Sequence, residues 1–208
     1  MDELMNGLLI GVPETVANLQ LPDPNLRDYY RDECDRIFWL DSQIGETTLE
    51  LIKMIIKCNK EDNGKPVEER KRILVMIDSP GGSVEVENSI IGAMKISKTP
   101  VWTCVYCTAY SAAADLLASG HKRFALPCTS VMMHAGSGRY EGTQAQIEQA
   151  KNFFDSMNKK INEYIYSRTN FDTKMKNKLK KDDVYMSAED ALKFGIVDEI
   201  IEDYSILF

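Results

Sequence analysis

Acyl transfer to water needs four parts. They are a nucleophile, a base to take its proton, a group to orient that base, and N–H donors for the oxyanion. The chain has two histidines, so candidates for the base can be counted. His121 lies in ASGHKRF, a charged turn, which predicts a solvent-facing ring. His134 ends the apolar run SVMMH and precedes the glycine-rich AGSGRYEG. Active sites collect at strand ends in α/β sheets, although a lone histidine there also serves packing. Ser111 stands among small residues in CTAYSAAADLLAS (107–119), where a helix can start. A nucleophile at a helix start has backbone N–H groups beside it. The same small residues would also let a helix lie close to a sheet. Gly81 and Gly82 follow the buried run ILVMID, and glycines there let backbone N–H groups approach a ligand. A plain strand-to-helix turn with Pro80 would use them equally well. With 32 Asp and Glu in the chain, spacing alone selects no orienter.

These residues need elements to hold them. RIFWLD (36–41) reads as a strand, and ETTLELIKMIIKC (46–58) has helical apolar spacing. EDNGKPVEERK (61–71) reads as a charged loop, and ILVMID (73–78) as a strand buried on both faces. VEVENSIIGAMKI (84–96) reads as a helix and VWTCVY (101–106) as a strand. Ser111 then opens a helix, and RFAL (123–126) and SVMMH (130–134) form short strands. Strands alternating with helices at this spacing predict βαβ units, an α/β class and a parallel sheet. Ile147, Ala150, Phe154, Met157, Ile161 and Tyr164 recur at steps of three and four, widened by Phe153 and Ile165. That stripe either covers the sheet or contacts another subunit. DTKMKNKLKK (172–181) reads as a basic helix, SAEDALKF (187–194) as a short helix capped by Ser187, and IVDEII (196–201) closes the sheet. Residues 1–35 are irregular, with prolines at 13, 22 and 24, and residues 36–208 form a single domain.

Composition narrows the class. The chain has 208 residues, 44% hydrophobic and 27% charged, which is ordinary for a globular protein. No apolar run approaches the roughly 20 residues that cross a bilayer. MDELMNGLLIGVPE lacks the basic start of a signal peptide, so the expectation is a cytoplasmic protein with no membrane partner. A net charge of −7 argues against nucleic acid as the main partner. The five cysteines are odd in number and scattered, and read as buried structural residues. Cys104 and Cys107 form C-x-x-C inside a strand, where their side chains point to opposite faces, and no second pair completes a metal site.

In order, IDSPGGSV, the serine helix, KRFALP, SVMMH, GSGRYEGTQAQIE and DDVYMSAEDALKFGIVDEII resemble the Clp peptidases, the proteolytic subunits of ATP-dependent Clp proteases. The resemblance spans roughly residues 36 to 201. It implies a spiral of βαβ units shared with the crotonases, with a protruding handle helix over 143–168. It further implies a serine endopeptidase that cleaves unfolded polypeptides inside two stacked seven-membered rings, a tetradecamer, with an AAA+ unfoldase as partner. Ser111 matches the nucleophile, His134 the base and Asp183 the orienter, with Asp182 as nearest rival. Gly82 and Ala112 match the oxyanion N–H donors. Gly136, Ser137, Gly138 and Arg139 match a strand that pairs with extended substrate. No cofactor is implied. The chain lacks G-x-x-x-x-G-K-[ST], so ATP would be used only by the partner.

Four departures accompany the resemblance. Ser-Ala-Ala stands where the family usually has Ser-Met-Gly, so a methionine that lines the family's pocket is gone. Gly136 stands where proline is common. Lys181-Asp182 replaces an acidic-then-basic pair used between rings. Residues 1–35, a candidate axial loop, match poorly. Small residues after the serine also resemble Clp-like proteases of bacteriophage, some of which mature capsids. The rival readings are that capsid-maturation role, a non-catalytic ring subunit, and crotonase-type thioester chemistry.

Overall fold

The computed structural model describes residues 27–138 and 140–208. The chain divides after Asp35, and its two parts are described separately. In the first, Arg27–Asp35 form a helix, α1, where the sequence pattern predicts irregular chain. The rest of that segment, including most of the candidate axial loop, lies outside the described residues.

In the second part, β1 (Ile37–Leu40) leads through a 3₁₀ turn to α2 (Glu50–Glu61). Next come β2 (Ile73–Ser79), α3 (Val84–Ile96), β3 (Val101–Tyr110) and α4 (Ala112–Ser119). Two short strands follow, β4 (Lys122–Ala125) and β5 (Ser130–Met133). The chain ends with α5 (Gln144–Arg168), α6 (Thr173–Leu179), β6 (Val184–Ser187), α7 (Ala188–Lys193) and β7 (Glu199–Ile200). The α/β class and the alternation of elements agree with the sequence pattern. Beyond shifts of a few residues at element ends, three differences stand out. β3 runs four residues further than the apolar pattern, through Cys107–Tyr110, because pairing with β5 extends it. IVDEII contributes only Glu199 and Ile200 to a strand. Val184–Ser187 form a strand where the pattern marks none.

Strand order is β1-β2-β3-β4-β7, every pair parallel. β3 then divides its pairing. Its first half, Trp102–Val105, runs beside β4, and its last three residues, Thr108–Tyr110, run beside β5. β6 pairs with β5 antiparallel, so the sheet is not purely parallel as the βαβ pattern predicts. The connection between the two strands is long and holds α5 and α6, and the chain returns beside β5 at the end of α6, where Ala135 N–H donates to the Leu179 carbonyl at 2.8 Å.

The core lies between the sheet and helices α2 to α4, built from Ile73, Val75, Ile77, Ile90, Met94, Val105, Leu116 and Leu117. On α5 only Ile161 and Ile165 are buried. Ile147, Phe154 and Met157 are partly exposed, and Phe153 is 68% exposed. The apolar stripe therefore covers the core with its C-terminal half alone. Thr143 caps the helix in a capping box with Gln146.

A buried ion pair ties the start of the sheet to α2. The Arg36 guanidinium donates to both carboxylate oxygens of Asp62, at 2.6 and 3.1 Å, and to the Lys71 carbonyl at 2.8 Å. Asp62 also accepts from Thr99 Oγ1 at 3.1 Å and from Lys65 Nζ at 3.0 Å. The Arg36 bond holds the Asp62 carboxyl far below the usual carboxylate range, outweighing burial.

The cysteines divide. Cys58 and Cys104 are buried, whereas Cys34, Cys107 and Cys128 are exposed, so the expectation of buried structural cysteines fails for three of five. Cys104 and Cys107 face opposite sides of β3, as strand geometry requires.

Candidate active site

Strand register assembles the site. β3 and β5 pair in parallel with Tyr110 opposite Met132, and Ser111 N–H donates to the Met132 carbonyl at 2.8 Å. The chain turns at Ser111 into α4, so the serine side chain emerges beside the end of β5. His134 is the residue just past that end. β5 and β6 pair antiparallel with Met133 opposite Val184, so one further step sets His134 opposite Asp183. Three side chains from three segments thus meet without any local sequence signal between them. Ser111 Oγ donates to His134 Nε2 at 2.7 Å, and His134 Nδ1 donates to Asp183 Oδ1 at 3.0 Å. Asp182 instead closes the turn after α6, its N–H bonded to the Lys178 carbonyl at 3.0 Å. The geometry thus prefers Asp183 to its rival. His121 is exposed, as the charged turn predicts, and its Nδ1 accepts from Val101 N–H at 2.9 Å, remote from this group.

Ser111 occupies φ 55°, ψ −127°, a conformation that non-glycine residues rarely adopt and that costs about 1–3 kcal/mol. A sharp strand-to-helix corner with a strained serine exposes the hydroxyl and sets the first helical N–H groups beside it. The turn at 81–82 packs directly on that corner. Gly81 has φ 92°, and a Cβ there would sit 2.6 Å from the Tyr110 carbonyl and 2.8 Å from Ser111 Cβ. A Cβ on Gly82 would sit 2.2 Å from the Ile44 carbonyl. Ile44 is gripped from both sides, by Ile44 N–H to the Gly81 carbonyl at 2.8 Å and by Ser83 N–H to the Ile44 carbonyl at 3.0 Å. No other residue type fits either position. Ser79 supports the turn from below, donating to the Ser42 carbonyl at 2.6 Å and accepting from Gly81 N–H at 3.2 Å.

Gly136, Ser137 and Gly138 leave the site as exposed chain and are not in a strand among the described residues. A Cβ on Gly136 would meet the Asn158 amide of α5 at 3.0 Å. Arg139 lies outside the described residues.

A cavity of about 20 Å³ opens beside Ser111 and His134. Two acids that the sequence pattern did not single out line it: Glu87 of α3 and Asp115 of α4. Burial pushes the Glu87 carboxyl well up, and the charge of Asp115 adds to this. Burial likewise raises Asp115, to about 7. The signal was present in the sequence. Glu87, Ile90, Ile91 and Met94 fall on one helical face, so Glu87 sits on the apolar side of α3. Asp115 stands four residues after Ser111, one turn along the same face of α4.

A hydroxyl bonded to an imidazole that is itself oriented by a carboxylate is the arrangement of nucleophilic acyl transfer. The Clp protease family model matches residues 32–204. With that match over most of its length, the chain belongs to the Clp protease family.

Proposed function

We propose that this chain is a serine endopeptidase that cleaves unfolded polypeptides and peptides by a Ser-His-Asp acyl-enzyme mechanism. Family membership supports a Clp-type serine peptidase in general. The observation that carries the finer reading is the continuous hydrogen-bond chain from Ser111 Oγ through His134 to Asp183.

The chemistry follows from the geometry. Ser111 Oγ attacks the scissile carbonyl carbon, and its proton passes to His134 Nε2. The N–H groups of Gly82 and Ala112 are the proposed donors to the oxyanion. Such donors each contribute roughly 2.7–4 kcal/mol to transition-state stabilisation. His134 then gives the proton to the leaving amine as the C–N bond breaks. Water, deprotonated by His134, attacks the acyl-enzyme, releasing the carboxylic acid product and restoring the serine hydroxyl. Asp183 holds the tautomer with the proton on Nδ1 and supports the imidazolium. The exposed chain at 136–138 offers open backbone to an extended substrate.

The uncovered N-terminal half of α5, with Phe153 outward, supports a ring-shaped homo-oligomer in which this helix meets its counterpart across stacked rings. Any ATP-driven unfolding belongs to an AAA+ partner. No helix among the described residues is long and apolar enough to cross a membrane, and a cytoplasmic setting accords with the chemistry.

The test is a fluorophosphonate probe with the adduct located by mass spectrometry. A single adduct on Ser111, lost in His134→Ala and Ser111→Ala, is expected. An assembled oligomer that never labels at Ser111 would favour a non-catalytic subunit.

A further inference from the structure

Two carboxyl groups stand beside the nucleophile that the acyl-transfer steps do not use. Glu87 is 2% exposed, and its Oε1 has no hydrogen-bond partner among the described residues although it lines the cavity. Asp115 lines the same cavity from α4 and shares a hydrogen bond with Glu87, with Val84 and Ile161 completing the apolar wall and Asn158 on the α5 side. No Lys or Arg side chain lines it among the described residues. A buried carboxyl oxygen without a donor costs free energy, so the chain carries a penalty here that a ligand bearing a donor would relieve.

We propose that this slot is the subsite for the side chain of the residue just before the scissile bond, and that it takes lysine. The inference rests on the serine peptidase reading above. When a peptide carbonyl lies on Ser111 Oγ, the side chain on its acyl side must enter the space adjoining Ser111 and His134, and Glu87 and Asp115 line that space. The slot as it stands has room for about one water, so an entering side chain must widen it, and an unbranched stem asks for less widening than an aromatic or β-branched one. Lysine carries its charge on an unbranched stem and ends in three donors, enough to engage both carboxyl groups. Arginine brings a wider planar fork. Where the family's usual methionine after the nucleophile would add apolar lining, Ala112 does not, and the acids dominate the recognition.

The titratable groups around the pair are Glu87 and Asp115 themselves, His134 in the cavity wall, and Tyr166 on α5, whose hydroxyl is raised by burial and then by Asp115. An incoming ammonium favours the charged form of both acids, so lysine binding releases a proton held by the pair. Preference for lysine therefore strengthens as pH rises through neutrality.

The experiment uses the full-length assembled protein and fluorogenic peptides that differ only before the scissile bond, with lysine or its neutral isostere norleucine. The expected kcat/KM ratio of lysine to norleucine is at least about tenfold, the size of one hydrogen bond to a charged group, and it increases between pH 6 and pH 8. Any pH effect on the shared acyl-transfer machinery acts on both substrates and cancels in the ratio. In Glu87→Gln/Asp115→Asn the ratio collapses towards one. Wild-type protein alone decides the matter if that variant does not fold. A labelled Ser111 with norleucine preferred, or a lysine preference that survives in the double variant, overturns the subsite and leaves the peptidase reading standing. Failure of Ser111 to label removes both.

Discussion

Among its described residues the protein buries carboxyl groups in two places and treats them in opposite ways. Asp62 is fully buried and receives donors from Arg36, Lys65 and Thr99. It stays ionised well below the usual carboxylate range. Glu87 is buried almost as completely, yet its nearest titratable neighbour is another acid, and both carboxyl groups rise. Burial is common to the two sites, so burial alone does not set charge. The donors do. Asp62 behaves as part of the scaffold, joining α2 to the start of the sheet. The pair at Glu87 and Asp115 is a polar site left incomplete within the chain, and it lies against the nucleophile. A satisfied buried charge speaks for architecture, whereas a buried acid with an unpartnered oxygen beside a reactive hydroxyl speaks for a ligand.

The comparison breaks most visibly at Arg36. Arg36→Met strands Asp62 as a buried charge without its main partner, and stability should fall by about 3–5 kcal/mol, read by urea unfolding at fixed protein concentration. Asp62→Asn keeps hydrogen-bonding capacity but removes the charge, and Arg36 retains Glu61 and the Lys71 carbonyl as acceptors. A smaller loss of about 1–3 kcal/mol is expected by the same measurement. If both variants unfold like wild type, the ion pair does not organise this end of the sheet. At Glu87 the effect is smaller still. Burial pushes the Glu87 carboxyl towards its neutral form, and Glu87→Gln keeps that neutral, hydrogen-bonding shape, so stability at pH 5 should stay within about 1 kcal/mol of wild type.

The two sites also respond to pH with opposite signs. Asp62 is depressed in the folded state, so its contribution is present above the unfolded value of about 4 and is lost as pH falls below it. Asp115 is raised to about 7, so the folded state binds more protons between about pH 4 and 7, and stability declines as pH rises through that window. Thermal unfolding of Asp115→Asn against wild type, from pH 5 to 8, should show the variant gaining relative stability as pH rises. A flat difference would mean that the acid pair ionises freely and the contrast with Asp62 is false.

Most of the scaffold was legible in order and type. ILVMID, VWTCVY and SVMMH carry continuous apolar runs, and buried parallel strands read that way from any context. β6 was not legible, because VYMS is four residues long and becomes a strand through pairing with β5. The long stripe of α5 was legible as a helix but silent on what it faces, and its two halves turn out to differ, with Ile161 and Ile165 buried and Phe153 outward. The glycine pair was legible only as a break. Its need for glycine became evident once Ile44, Tyr110 and Ser111 were seen crowding it. Glu87 was hidden because helical patterns are read for their apolar members, and a single acid on the apolar face looks like noise until its partner on another helix is known.

By itself the sequence determined the α/β alternation, a helix start at Ser111 and the placing of His134, rather than His121, at the end of an apolar strand. Each of these depends on local periodicity, on turn chemistry, or on there being so few histidines. Only the tertiary structure decided that Asp183 rather than Asp182 meets His134, and that Glu87 and Asp115 share a slot beside the serine. Those facts depend on strand register and helix packing. They bring together side chains 49 residues apart in one case and 28 in the other. Nothing in a single segment encodes such a distance, because the free energy that sets it comes from the whole buried sheet.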